Sequence, residues 1–453
     1  MQNPYTKSIN VSQYIDDQPV GRLQRIVFAL CFLLIALEGF DTAIISFIAP
    51  QILRDGLIAQ HDVALLIGIG MIGLLVGAPV GGVLADRLGR KKVLAFAVCW
   101  FGLCCIVSTL INQPALFIFL RLLAGLGIGA AMPPVANMVA EHCPARYRTS
   151  MLALVFCGFL FGAMAAGLST GALSAHIGWR GLLLVGGIAP LAVILLFVLV
   201  ADESAMFMAV AGKGREKIAA VMQRLYPAAD FSDCGFGAGE APRTGKPLRE
   251  LVAPRYRIGS LLIWAIQLLA YYVFYQLSNW LPSYLASADY NPAQAARMAS
   301  LFQMGSLLGS LCCVWLTRRH HGAVVAGASY VLGVVAIAAL TLGQSSLYFP
   351  AIIFLSGLFV GGPIICVNAL ATVYYPTALR GLGSGVAVSC GRLGAIAGAF
   401  IVGAASQAGF SYPQIFSSSS LLLLASVIML LALHRQLLRQ RQSDQAELST
   451  STC

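Results

Sequence analysis

The chain has 453 residues, 58% of them apolar and only 10% charged, with a net charge of +11 and a mean hydropathy of +0.82. A soluble domain carries about 25% charged residues, and one large core cannot explain the deficit, because surface grows with size and must be covered. Lipid is therefore the solvent for most of the surface, which excludes an ordinary soluble globular domain.

A spanning helix needs about 20 apolar residues, and runs of that length recur through the chain. Residues 1–23 are polar and include Asp16 and Asp17, so they read as a retained tail and not a cleaved signal. The first run is expected at 24–48. It contains LEGFDTAIISF, Leu37 to Phe47, and between Ile26 and Pro50 only Glu38 and Asp41 carry charge. A charge at the bilayer centre costs about 3 kcal/mol on insertion scales and is normally kept for a pathway. Three residues apart, the two acids share one helix face, which is expected to point to a cavity between the halves of the molecule. Neighbouring carboxylates in a partly dry site cannot both ionise easily, so one is expected to keep its proton towards working pH, as a proton carrier must. Asp41 is favoured as the proton-linked residue, with Glu38 assisting. The plainer alternative puts them at a wetted outer end, but Asp41 lies about 13 Å inward of Pro50 at 1.5 Å per residue.

The second run, 62–85, leads into GGVLADRLGRKK, Gly81 to Lys92. Here Gly82 permits close helix approach, Gly89 permits a tight turn, and Asp86 can pair with a base or cap a helix. Runs at 92–111 and 114–141 follow. The latter holds Arg121, which can clamp a substrate carboxylate through two parallel hydrogen bonds or pair structurally with an acid of the first run. It ends at Glu141, close to Arg146 and Arg148, which reads as a gate pair. Runs at 148–173 and 179–200 complete the first six. Residues 201–256 form a polar linker with Gly/Pro interruptions (GFGAGEAPRTGKP) and one short helix around Arg215–Leu225.

Six more runs follow at 257–284, 294–317, 322–342, 346–371, 382–405 and 413–434, then a tail at 435–453. The first of them offers Tyr271, Tyr272, Phe274, Tyr275 and Trp280 as apolar ring contacts. Tyr275 and Trp280 stand out because they precede the Pro282 break. Asn279 and Asn368 are candidates to bond a ring hydroxyl. Arg392, in SCGRLGAIAG, is a second counter-charge or gate, or a helix-packing residue. Glycines four apart, as at Gly73/Gly77/Gly81 and Gly394/Gly398, let helices approach and slide. Pro133 and Pro363 are expected kinks. The 12 cysteines show no CxxC spacing and no His partner, and read as small packing residues. No metal-spaced cluster, nucleophile elbow or phosphate loop argues for an enzyme.

Of the 29 Lys and Arg, Arg54, Arg180 and Arg297 fall in outer loops and Arg121 and Arg392 inside runs, if both termini are cytoplasmic. The remaining 24 then lie on the cytoplasmic side. That asymmetry sets the orientation and accounts for the positive charge without nucleic acid.

The sequence Gly-x-Leu-Ala-Asp-Arg-x-Gly-Arg-Lys, matching at Gly82, Leu84, Ala85, Asp86, Arg87, Gly89, Arg90 and Lys91, resembles the signature loop of the major facilitator superfamily. Its counterpart in the second half, Val314 to Gly322, keeps Arg318 and Arg319 but has Thr317 where Asp86 stands. A clearer internal echo sets Gly129-Ala-Ala-Met-Pro133, followed by Glu141, Pro144 and Arg146, beside Gly361-Gly-Pro363, followed by Tyr375, Pro376 and Arg380. Glu-Gly-Phe-Asp-Thr-Ala is similar to the D/E-G-x-D signature of the aromatic acid:proton symporters. RLLAGLGIGAAMP, NWLPSYL, YYPTALRGLGSGVAVSCGRLGA and a degenerate ESxxF agree, with the 4-hydroxybenzoate/protocatechuate transporters the nearest likeness. Glu38 replaces the Asp of many members, and DESAMF replaces P-E-S-P-R-F.

The resemblance implies an all-α membrane protein of twelve transmembrane helices in two pseudo-symmetric six-helix bundles, 24–200 and 257–434. It implies a monomer without cofactor or metal, a gate built on Gly82, Asp86, Arg87, Gly89, Arg90, Glu141, Arg146 and Arg380, and proton coupling at Glu38 and Asp41. The expected activity is proton-coupled import of a monoaromatic carboxylate, such as 4-hydroxybenzoate or a hydroxyphenylpropionate, across the inner membrane by alternating access. The alternatives are a carrier of a non-aromatic acid, such as muconate or a sugar acid, and a membrane sensor that binds without translocating.

Overall fold

The computed structural model describes residues 7–231, 234–237, 248–342 and 348–451. Two short strands, β1 (Lys7–Asn10) and β2 (Cys234–Gly237), accompany fifteen helices among the described residues. The first half contains α1 (Val11–Asp17), α2 (Arg22–Arg54), α3 (Val63–Leu88), α4 (Arg90–Ser108), α5 (Pro114–His142), α6 (Ala145–Val200), α7 (Ala205–Val210) and α8 (Arg215–Leu225). The second contains α9 (Arg257–Ser287), α10 (Pro292–Leu316), α11 (Gly322–Leu342), α12 (Phe349–Ser356), α13 (Ile364–Tyr374), α14 (Thr377–Gln407) and α15 (Tyr412–Ser451).

Among the described residues, 11 helices are long and apolar enough to cross a membrane. One of them, α6, has 56 residues and breaks at Gly178, where φ is 64° and ψ is −180°. A straight helix of that length would measure about 84 Å, far more than a hydrocarbon layer of about 30 Å. It therefore supplies two crossings, the fifth and sixth expected runs, and the total is twelve. The tenth crossing joins α12 and α13 through a π-helical turn at Gly357–Gly361 just ahead of Pro363. Two serine hydroxyls that donate within α10, Ser306 to the Phe302 carbonyl at 2.8 Å and Ser310 to the Ser306 carbonyl at 2.9 Å, also lie 3.2 Å from Gly357 O and 3.3 Å from Gly362 O.

The chain divides into two compact units. The first comprises Met1–Ile44, Ile69–Ala163 and His176–Arg243. Its core packs Val27, Cys31, Leu34 and Ile35 of α2 with Leu94, Val98 and Phe101 of α4 and with Ile128, Val135 and Met138 of α5. Glycines on α3 fit against backbone of α5. A Cβ on Gly81 would stand 2.2 Å from the Ala130 carbonyl, whereas one on Gly82 would meet nothing nearer than 3.8 Å. The close approach expected of Gly82 thus belongs to Gly81, one residue earlier and on the face that touches α5. The second unit comprises Ile45–Gly68, Met164–Ala175 and Thr244–Cys453, and within it a Cβ on Gly394 of α14 would stand 2.1 Å from the Leu268 carbonyl of α9.

The N-terminal segment is more than a polar tail. β1 pairs in parallel with β2, Lys7 opposite Cys234 and Asn10 opposite Gly237. Asn10 Oδ1 caps α1 by accepting from the backbone N–H of Ser12 at 3.1 Å. Val11 and Ile15 of α1 then pack against Phe207, Met208, Ile218, Met222 and Phe231. Gln24 Nε2 donates to the His142 carbonyl at 2.7 Å and to Tyr226 Oη at 3.1 Å. Burial pushes the Tyr226 phenol above its ordinary range, against the Gln24 bond, which lowers it. The expected linker helix is α8, with the same bounds. The interrupted stretch at 238–247, residues 1–6 and the expected start of the tenth run at 346–347 lie outside the described residues. Beyond 434, where a tail was expected, α15 continues to Ser451, because QLLRQRQ supplies only good helix formers.

Candidate functional site

In the first unit, α2, α4 and α5 bring four polar side chains, Asp41, Cys105, Ser108 and Arg121, together inside the apolar packing, with Glu38 one turn before Asp41 on α2. Glu38 comes from α2 and Asp41 from the next turn; Cys105 and Ser108 come from α4, and Arg121 from α5. Glu38, Cys105 and Ser108 are fully buried, and Asp41 and Arg121 are each 3% exposed. Arg121 Nη1 lies 3.3 Å from Asp41 Oδ1. The Cys105 thiol, 2.9 Å from Asp41 Oδ1, donates to the carboxylate and accepts from Arg121 Nη2 at 3.1 Å. Arg121 Nη2 also reaches Ser108 Oγ at 3.4 Å, while that hydroxyl donates to the Cys104 carbonyl at 2.6 Å. Arg121 Nε has no hydrogen-bond partner. The structure thus shows the acid-pair arrangement for Arg121, with one donor left over. Cys105 is not the plain packing residue expected from its spacing: its thiol links the carboxylate to the guanidinium. The signal for it was faint, because a cysteine among apolar neighbours looks the same whichever way its Sγ points.

The signature loop gathers around Arg90. Its Nη2 lies 3.0 Å from Glu141 Oε1 and 3.2 Å from Asp86 Oδ1, and its guanidinium rests 4.7 Å over the Phe207 ring. The Asp86 side chain is 68% exposed, against 13% for Glu141, so water screens the Asp86 pair and Glu141 is the firmer partner. Glu141 was expected to form a gate pair near Arg146 and Arg148. The structure corrects this, because Pro144 turns the chain after α5 and carries both nearby arginines away. Arg146 lies 5.0 Å over the Tyr147 ring, and Arg148 pairs with Asp16 at 3.1 Å. Arg87 and Arg380 are exposed.

Sequence reasoning missed Glu203, the acid of ESxxF. Its carboxylate accepts from the backbone N–H groups of Arg90 at 2.9 Å and Lys91 at 3.2 Å, capping α4 where the helix dipole favours an anion. Gly89 makes this possible: φ is 108° there, and a Cβ would stand 2.2 Å from Glu203 Oε2. Glu203→Ala is expected to destabilise the protein by about 1 kcal/mol, the usual worth of a lost helix cap. Thermal unfolding in detergent should show a lowered midpoint, and an unchanged midpoint would discount the cap.

In the second unit, Gln267, Tyr271 and Tyr275 recur every fourth residue along one face of α9. The two tyrosine rings stack at 6.1 Å, and Phe274 meets Tyr275 edge-on at 5.1 Å. Tyr271 Oη donates to Asn368 Oδ1 at 3.1 Å. Gln267 Nε2 donates to the same oxygen at 3.1 Å and to the Val367 carbonyl at 3.3 Å. Gly391 of α14 lies flat enough on Tyr271 that a Cβ would come within 3.1 Å of the ring, and Arg392 is the next residue. Tyr275, Asn368 and Arg392 therefore share one neighbourhood, with Tyr271 and Gln267 added by the structure. Trp280 and Asn279 do not join it. Trp280 is five residues beyond Tyr275, or about 140° round the helix, and packs against Tyr412 at 6.2 Å. Asn279 Oδ1 accepts from Ser46 Oγ at 3.3 Å. No group of three or more His, Cys, Asp or Glu that could hold a metal occurs among the described residues.

Comparison with known proteins agrees with this architecture. The family model described as Major Facilitator Superfamily matches residues 31–399 and 285–449. The chain is 34% identical over 433 residues to a gallate transporter of Pseudomonas putida, covering 95% of this chain and 96% of the other. It is 33% identical over 421 residues to a 4-hydroxybenzoate transporter of Pseudomonas aeruginosa, covering 92% and 93%. A 3-(3-hydroxy-phenyl)propionate transporter of Escherichia coli is 31% identical over 380 residues, covering 83% and 86%. Among solved structures, a bacterial homolog of the human lysosomal transporter Spinster superposes with a TM-score of 0.71 at 16% identity, covering 93% of this chain and 99% of that one. A D-xylose-proton symporter superposes at 0.66, also at 16% identity, covering 89% and 96%. At such identities the structural likeness speaks for the fold alone.

Proposed function

The chain belongs to the Major Facilitator Superfamily, a membrane transporter and not an enzyme, and from that premise we propose that it imports a monoaromatic carboxylate together with H⁺. The observation that carries this reading is the buried Asp41–Arg121 pair with its spare Nε donor. A guanidinium can satisfy one carboxylate fully or share itself between two. When a substrate carboxylate takes Arg121, Asp41 loses its counter-charge in dry surroundings and is stable there only with a proton. Anion and proton then load together. The relatives at 31–34% identity bear names of aromatic-acid transporters, which supports the ring. Within the second unit, the stacked tyrosines near Arg392 are side chains of the kind that recognise an aromatic anion.

Twelve crossings return the chain to the side where it began. The Lys/Arg bias supports a cytoplasmic location for both termini in a bacterial-type inner membrane. Glu141, Arg90 and Asp86, with Glu203 behind them, serve in this reading as a cytoplasmic gate, and the protein works as a monomer.

The test is uptake into proteoliposomes of radiolabelled benzoate, 4-hydroxybenzoate, muconate and a sugar acid, under an inward proton gradient and after adding an uncoupler. Uncoupler-sensitive accumulation of the aromatic acids alone is expected. Accumulation of muconate or the sugar acid in their place would overturn the aromatic assignment. Accumulation insensitive to the uncoupler would overturn the coupling, and binding without uptake would make the protein a sensor.

A further inference from the structure

Gln267 and Asn368 leave an unusual remainder once their hydrogen bonds are assigned. Gln267 is fully buried. Both hydrogens of its amide nitrogen are engaged, by the Val367 carbonyl and by Asn368 Oδ1, yet its Oε1 accepts nothing. Asn368 Oδ1 is saturated by Gln267 Nε2 and Tyr271 Oη. Its amide nitrogen makes no hydrogen bond among the described residues, and the side chain is half-buried. One unused acceptor and one unused donor group thus belong to two amides joined by a hydrogen bond, next to the stacked Tyr271 and Tyr275 rings.

We propose that Gln267 and Asn368 form a subsite that reads the hydroxyl of a phenolic acid. A phenol carries one hydrogen to donate and lone pairs that accept, which is the complement of Gln267 Oε1 and Asn368 Nδ2. A carboxylate only accepts, so it would face the bare Gln267 oxygen with repulsion. The subsite therefore also orients the substrate, hydroxyl towards Gln267 and carboxylate away from it. A ring lacking the hydroxyl leaves the buried Oε1 without a partner, and a site built to hydrogen-bond a substrate group rejects the analogue that lacks it. This inference rests on the reading of the chain as an aromatic-acid carrier, and adds what it selects among such acids. Relatives named for benzoate and for niacin, at 27% and 26% identity, show that a hydroxyl requirement does not follow from family membership.

The experiment uses the full chain in proteoliposomes, with uptake of radiolabelled 4-hydroxybenzoate and of radiolabelled benzoate measured separately. Wild type is expected to prefer the hydroxylated acid by about tenfold, the equivalent of about 1.4 kcal/mol. Gln267→Met and Asn368→Leu, made singly, are expected to bring the ratio of 4-hydroxybenzoate to benzoate uptake to within about twofold, since each removes one of the two groups that would bond the hydroxyl. Equal uptake of the two acids by wild type, or an undiminished preference in both variants, would overturn the subsite alone. Loss of both acids alike in both variants would overturn it too, by showing that the residues only hold α9 and α13 together. A wild type that takes up neither acid would overturn the carrier reading along with it.

Discussion

Asp41→Asn will abolish gradient-driven accumulation and will also lower stability, because it leaves the Arg121 charge buried without its partner. Asparagine has the size of aspartate and keeps an oxygen where Oδ1 accepts from Cys105 and Arg121, at 2.9 and 3.3 Å. What it cannot do is change charge. In the coupling proposed for this site, the proton binds Asp41 when the substrate anion draws off Arg121, and leaves when the pair re-forms. With asparagine the anion still finds the guanidinium, but no proton accompanies it. Uptake under an inward proton gradient is therefore expected to fall to the level seen with an uncoupler, a loss of at least about tenfold, given that each factor of ten corresponds to about 1.4 kcal/mol of coupling. Exchange of labelled for unlabelled substrate, which needs no net proton movement, is expected to persist. Exchange and accumulation both at wild-type levels would remove Asp41 from the coupling step and turn attention to Glu38, one turn away.

The helices were legible because run length and apolar continuity dictate them, and the Lys/Arg bias needs only counting. Gly322–Leu342 has the bounds expected of it. What stayed hidden depends on which atoms meet across helices. Gly81 and Gly82 are alike in sequence, but only Gly81 faces Ala130. Glu141 is nearer in sequence to Arg146 than to Arg90, yet Pro144 redirects one arginine while the α4 start delivers the other. The short α1, of 7 residues, is below the length at which an isolated helix is stable, and its apolar contacts with the linker, the Asn10 cap and the Asp16–Arg148 pair hold it. In the candidate site, charge betrayed Asp41 and Arg121, because a charge in an apolar run is costly enough to need a reason. Cys105 and Gln267 carry none, and what distinguishes them, a thiol aimed at a carboxylate and a carbonyl with nothing to accept, exists only in three dimensions.

Arg121→Leu likewise breaks the buried pair and is expected to damage the fold itself. Leucine fills much of the same volume but leaves Asp41 buried at 3% exposure without a counter-charge. Removing one partner of a buried ion pair costs about 3–5 kcal/mol, more than the pair itself contributes, because the remaining charge has nowhere to discharge. The midpoint of thermal unfolding in detergent should drop well below that of wild type. The double variant Asp41→Asn/Arg121→Leu should recover part of the loss, with a coupling energy of about 0.5–3 kcal/mol, though without restoring accumulation. Arg121→Lys separates charge from geometry. A lysine keeps the positive charge but offers a single ammonium where the guanidinium spans Asp41, Cys105 and Ser108 with two nitrogens and keeps Nε in reserve. Its stability is therefore expected to stand near wild type while uptake falls, since one point charge cannot serve Asp41 and an incoming carboxylate in turn with the same reach. If the lysine variant transports as wild type does, the forked geometry is dispensable and the site needs only a cation. If the leucine variant is as stable as wild type, Asp41 is neutral at rest and the ion pair is not what holds α2, α4 and α5 in register.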